Sequence, residues 1–110
     1  MYRVAVDESV LADIVRRLVQ AVDPDRIVLF GSRARGDSSL DSDLDLLVVK
    51  ASHTPKHQRA IPAYRALWGV RVPVDILWYT PEEMEEWSGV ANHVVTRALR
   101  EGRVIYEKQP

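Results

Sequence analysis

The stretch whose reading decides the fold runs from Gly31 to Val49, GSRARGDSSLDSDLDLLVV. "RIVLF" (26–30) leads into it and "LDLLVV" (44–49) closes it. Both runs are short, apolar and rich in β-branched residues, so they read as two strands joined by a charged loop. Gly31, four residues and Gly36 have the glycine spacing of a phosphate-cradling P-loop after a strand. The next position must then be a lysine, and here it is Asp37, whose charge repels phosphates. Asp41, Asp43 and Asp45 alternate as the ligands of a calcium loop do, but the sixth position is Leu46 instead of glycine and the twelfth is Ser52 instead of glutamate. What remains is a Gly-Ser turn after one strand and a pair of aspartates opening the next.

Asp43 and Asp45, two apart in an extended segment, share one face at roughly 6 to 7 Å. Two such carboxylates repel by about 2 to 3 kcal/mol at an effective dielectric near 20, and a divalent cation reverses that sign. Magnesium suits the arrangement, because it takes one or two carboxylates and leaves its other positions to water and substrate phosphates. A third run, "VRVPVDILWY" (70–79), carries Asp75 on the face opposite Val74 and Ile76. An aspartate is costly to bury alone in such a run. If this strand lies beside the second, Asp75 joins Asp43 and Asp45 in a triad able to hold two metal ions around a phosphoryl transfer.

Working outward, Val10, Leu11, Ile14, Val15, Leu18, Val19 and Val22 recur at helical spacing, predicting an amphipathic helix over 8–22 that Asp23-Pro24 ends. The second strand is apolar on both faces and therefore central, whereas Pro73 places the third nearer an edge or delays its pairing. Thr54-Pro55 reads as a helix cap and first position, with Pro62 kinking or restarting that helix. Thr80, Pro81 and Glu83 form a capping-box start. Val90, Ala91, Val94, Val95, Ala98 and Leu99 make a last helical stripe, closed by Gly102 and a short "RVIYE" strand. The predicted fold is α/β: a small mixed sheet of three to four strands flanked by helices, over one domain spanning 1–110.

The 110 residues carry 15 basic and 16 acidic side chains, a net charge of −1, so no general attraction to nucleic acid is expected. The absence of cysteine excludes disulfides, thiolate nucleophiles and cysteine zinc sites. No run approaches membrane-spanning length, and MYRVAVDESV has acids where a signal peptide is apolar, so a cytoplasmic location is expected.

Phe30-Gly31-Ser32, the ten-residue spacer to Asp43-Leu44-Asp45, and Val74-Asp75-Ile76 resemble the nucleotidyltransferase superfamily of polymerase beta type. "GSRARG" with "SDLDLLV" and the ending "REGRVIYE" are more closely similar to its minimal nucleotidyltransferases, and the resemblance covers nearly the whole chain. It implies a polymerase beta-like fold in which Gly31 and Ser32 approach the triphosphate and Asp43, Asp45 and Asp75 are the catalytic, magnesium-binding carboxylates. Asp75 would also help deprotonate the acceptor hydroxyl. Arg35, with Arg33 beside it, would offset phosphate charge, and Ser42 is counted among the nucleotide-binding positions. The resemblance further implies ATP as substrate, two magnesium ions, and an antitoxin role toward a small helical HEPN-type toxin, whose tyrosine would receive AMP. The alternative from another class is a binding module that neutralises its partner by contact, without turnover.

Each motif also has a plain structural reading. A lone Gly-Ser is usually a turn, a lone Asp-Ser-Asp a solvated loop, and Asp75 alone a tolerated edge acid; their order and spacing together favour the site. His53 and His57 are separated by Thr54-Pro55, which argues against zinc, and His93 reads as structural. Trp68, Trp78, Trp87 and Tyr79 read as core or half-buried. Met84 and Trp87 read as core ahead of a partner surface.

Overall fold

The computed structural model describes residues 8–31 and 44–110. Ser32, Arg33, Arg35, Ser42 and Asp43 lie outside the described residues. Helix α1 (Glu8–Val22) precedes strands β1 (Arg26–Phe30) and β2 (Leu44–Val49). A 3-10 turn at Lys56–Gln58 and helix α2 (Ile61–Ala66) lead to β3 (Val74–Tyr79). Helices α3 (Pro81–Trp87) and α4 (Val94–Glu101) and strand β4 (Arg103–Glu107) complete the order.

The four strands form one mixed sheet in the order β3-β2-β1-β4. β1 is antiparallel to both β2 and β4, and β2 is parallel to β3. A hairpin-like link suffices for the antiparallel pair, but parallel strands require a crossover, which the 3-10 turn and α2 supply. The two faces of β2 are both covered, as its continuous apolar run requires. On one face Leu44, Leu46 and Val48 pack with Leu11, Ile14 and Leu18 of α1 and with Ala63 of α2. On the other, Leu47 and Val49 pack with Met84 of α3 and Val95 and Ala98 of α4. The predicted α/β architecture, with β2 inside and β3 at an edge, is the one observed.

Several local expectations need correction. The third strand begins at Val74, directly after Pro73, because proline has no N–H to enter the ladder; residues 70–73 stay outside it. Thr54 caps nothing: the 3-10 turn has Pro55 at its cap with no side-chain bond, and Thr54 donates its own N–H to Ser52 Oγ. Pro62 restarts the chain as the separate helix α2. Val90 and Ala91 precede α4 instead of extending its stripe, since Gly89 and Asn92 turn the backbone at φ 83° and 64°. Trp68 is not core: it lies beyond the end of α2 and is 87% exposed. Trp78 is buried on the α1 side of the sheet, and Tyr79 and Met84 on the other side, where Trp87 packs partly buried.

The capping box is present in full. Glu83 N–H donates to Thr80 Oγ1 at 3.2 Å, and Thr80 N–H donates to Glu83 Oε1 at 2.9 Å. His93 caps α4, its Nδ1 accepting from Val95 N–H at 3.1 Å, with its ring stacked on Trp87 at 4.3 Å between centroids.

Candidate functional site

The site lies where β1 ends and β2 and β3 begin. β1 delivers Phe30 opposite Asp45 of β2, and the parallel register sets Asp45 opposite Asp75 of β3. Side chains alternate along a strand, so residues paired across a ladder share a face. Asp45 and Asp75 therefore project from the face covered by α3 and α4, on strands about 4.8 Å apart. Their neighbours Leu44, Leu46 and Ile76 turn into the core on the other face. The same alternation that buries the leucines thus delivers two carboxylates to one place.

Gly31 follows β1 with φ 79°, a left-handed conformation that favours glycine. A Cβ added here would collide with the Asp45 carboxylate. The bare backbone is what lets the turn pass over that carboxylate, and it leaves the main chain close to whatever Asp45 binds.

Above these residues is a cavity of about 430 Å³, whose lining includes Gly31, Asp45, Asp75, Leu77, Arg97 and Glu101. That volume lies within the range of small-molecule sites. A larger hollow of about 780 Å³ is found at the opposite ends of β1 and β2, beside Arg26, Val49, Met84 and Lys108. It has no facing pair of strand carboxylates, so the smaller cavity is the better chemical candidate.

At an effective dielectric near 20, charges about 5 Å apart repel by about 3 kcal/mol, and by less where water enters. Asp75 is exposed, which moderates the repulsion with Asp45. A divalent cation between them would turn repulsion into attraction, and an all-oxygen donor set suits magnesium. Among the described residues no group of three metal-ligating side chains occurs, and Asp43, the third expected ligand, lies outside them.

Of the expected site residues, then, Gly31, Asp45 and Asp75 are brought together. Three lining or contacting residues were not anticipated. Arg97 and Glu101, one turn apart on α4, face the cavity. Tyr64 on α2 donates its hydroxyl hydrogen to Asp75 Oδ1 at 3.3 Å and accepts from Ile76 N–H at 2.8 Å. Arg97 has a sequence signal in hindsight, a polar position beside the buried stripe Val95–Ala98; Tyr64 has none, because its contact depends on a crossover.

The nucleotidyltransferase domain family model matches residues 9–105. The chain belongs to that family. No curated protein matches it. Among solved structures, a toxin–antitoxin crystallised with AMP-PNP is similar at 20% identity and a TM-score of 0.63, over 89% of this chain and 73% of that one. A mutant form of the MntA–HpeT toxin–antitoxin aligns at 17% identity and a TM-score of 0.61, with the same coverage of 89% and 73%. A nucleotidyltransferase-like protein from Sulfolobus solfataricus aligns at 20% identity and a TM-score of 0.54, over 94% of this chain and 92% of that one. At such identities these likenesses concern the fold, which they share with the polymerase beta-like nucleotidyltransferases. No helix among the described residues is long and apolar enough to cross a membrane.

Proposed function

We propose that this nucleotidyltransferase-family chain transfers AMP from ATP to a hydroxyl of a partner protein, a tyrosine of a small helical HEPN-type toxin, and so acts as an antitoxin. The observation that carries the reading is the register Asp45 opposite Asp75, with the Gly31 turn directly over Asp45. The partner class is supported by fold neighbours that are toxin–antitoxin pairs, one of them crystallised with AMP-PNP.

In this reading Asp43, Asp45 and Asp75 hold two magnesium ions, which supply charge neutralisation at the phosphates and the departing pyrophosphate. The Gly31 backbone and the Ser32 hydroxyl approach the triphosphate, with Ser42 beside it and Arg35 offsetting its charge. Arg97, in the cavity wall, adds a cation to the same anion. The acceptor hydroxyl enters on the exposed side, beside Asp75. Its proton passes to the Asp75 carboxylate as its oxygen bonds to the α-phosphorus, the bond from the α-phosphorus to the bridging oxygen breaks, and pyrophosphate leaves. Positioning of these groups supplies most of the acceleration such a transfer needs.

The test is intact mass spectrometry of the partner after incubation with this protein, ATP and magnesium. The expected gain is roughly 329 Da per transferred AMP. A partner neutralised equally by wild type and by the Asp43→Asn, Asp45→Asn double variant, with unchanged mass, would establish the contact-only binding module instead.

A further inference from the structure

We propose that Tyr64 is a positioning residue for Asp75, holding one carboxylate oxygen at the sheet edge so that the other serves the site. This rests on the transferase reading above. β3 is an edge strand, so alternate N–H groups along its outer side have no strand to bond. Tyr64 reaches that side from α2, which covers the face opposite the two aspartates. Its hydroxyl accepts from Ile76 N–H at 2.8 Å and donates to Asp75 Oδ1 at 3.3 Å. A hydroxyl both donates and accepts, so Tyr64 can accept from Ile76 N–H while giving its hydrogen to the Asp75 carboxylate.

The helix that carries Tyr64 is anchored. Ala63 on α2 and Leu67 at its C-cap are buried in the core, and Arg17 of α1 donates to the Ala66 and Trp68 carbonyls at 3.3 and 2.9 Å. Asp75 by contrast is exposed and faces the like charge of Asp45, two conditions that favour rotamers turned away from the site. A directed hydrogen bond to Oδ1 opposes that drift. Burial alone does not account for the tyrosine, since it is 43% exposed.

Tyr64→Phe keeps the ring and removes only the hydroxyl. Manganese is titrated against wild type, Tyr64→Phe, Asp75→Asn and the double variant, each with AMP-PNP, and the melting temperature is read. Tyr64→Phe is expected to raise the half-saturating manganese concentration about tenfold, as removal of an outer-shell partner typically does. It adds nothing in the Asp75→Asn background, because the residue acts through Asp75. In transfer assays its kcat falls about tenfold, while the KM for ATP stays within about threefold. The inference is overturned if Tyr64→Phe matches wild type in manganese response, or if it weakens that response equally on top of Asp75→Asn. A gain of roughly 329 Da on Tyr64 of the wild type alone also overturns it, since Tyr64 would then be an acceptor. Should wild type itself show no manganese response with AMP-PNP, the transferase reading fails and the inference with it.

Discussion

Gly31 illustrates how one atom's absence shapes the site. Among the described residues three glycines take positive φ, Gly31 at 79°, Gly69 at 88° and Gly89 at 83°. An alanine at Gly69 meets nothing within 4 Å, whereas at Gly31 its Cβ meets the Asp45 carboxylate. Gly69→Ala thus measures backbone strain alone, and Gly31→Ala measures strain plus a collision. The expected cost of Gly69→Ala is about 1 kcal/mol, or roughly 4 to 8 °C in melting temperature for a domain of this size. Gly31→Ala should cost measurably more, and should abolish the stabilisation by magnesium and ATP that Gly69→Ala retains. Equal behaviour of the two variants in thermal unfolding would show that the Gly31 turn does not need its close approach to Asp45. At this scale the juxtaposition of Gly31, Asp45 and Asp75, the described part of the candidate site, was legible: Phe30-Gly31 and the alternation around Asp45 and Asp75 are local patterns, and strand geometry converts them directly into a shared face. Tyr64 was not legible, because nothing within a few residues of it records which strand its helix will cover, and Arg97 left only the trace of a polar position beside a buried stripe.

Among the elements, α3 has its start tied to a segment outside it. Glu83 Oε1 accepts from Thr80 N–H at 2.9 Å and from Arg59 Nη1 at 2.6 Å, so one oxygen serves both the capping box and a tie to the crossover segment. The Arg59 guanidinium, and then the Thr80 N–H, hold the Glu83 carboxyl below the usual glutamate range against the opposing effect of burial. A depressed folded-state value means stability that is fully present above the unfolded-state value of about 4.3 and lost as pH falls through the folded one. Wild type is therefore expected to lose stability on acidification below about pH 4.5 more steeply than Glu83→Gln, which lacks the charge. Denaturant unfolding of both proteins between pH 3 and pH 7 checks this; parallel curves would remove the ion pair from the account. The Thr80-Pro81-x-Glu83 signal was readable because a capping box is written within four residues. The false cap at Thr54 shows the limit of the same rule, since Thr-Pro is compatible with a helix start but does not compel one. Pro73 and Pro62 were readable for a firmer reason, as proline removes a backbone donor whatever surrounds it.

For the whole molecule, the sheet order is what turns separate motifs into a site. Asp45 and Asp75 are 30 residues apart in sequence yet adjacent in register, because the crossover returns β3 parallel to β2. The apolar run of β2 and the proline before β3 made central and edge positions legible. The exposure of Trp68 was not, since hydrophobicity favours burial without saying where a short helix will end. The central claim is that the converging aspartates bind metal with nucleotide, and the most direct test is the melting temperature with ATP, with and without magnesium. The account predicts that magnesium adds about 5 °C or more to the ATP-dependent rise at saturating ligand in the wild type. It predicts that Asp43→Asn with Asp45→Asn folds but loses this magnesium-dependent part. A double variant whose response to magnesium equals that of the wild type would contradict it.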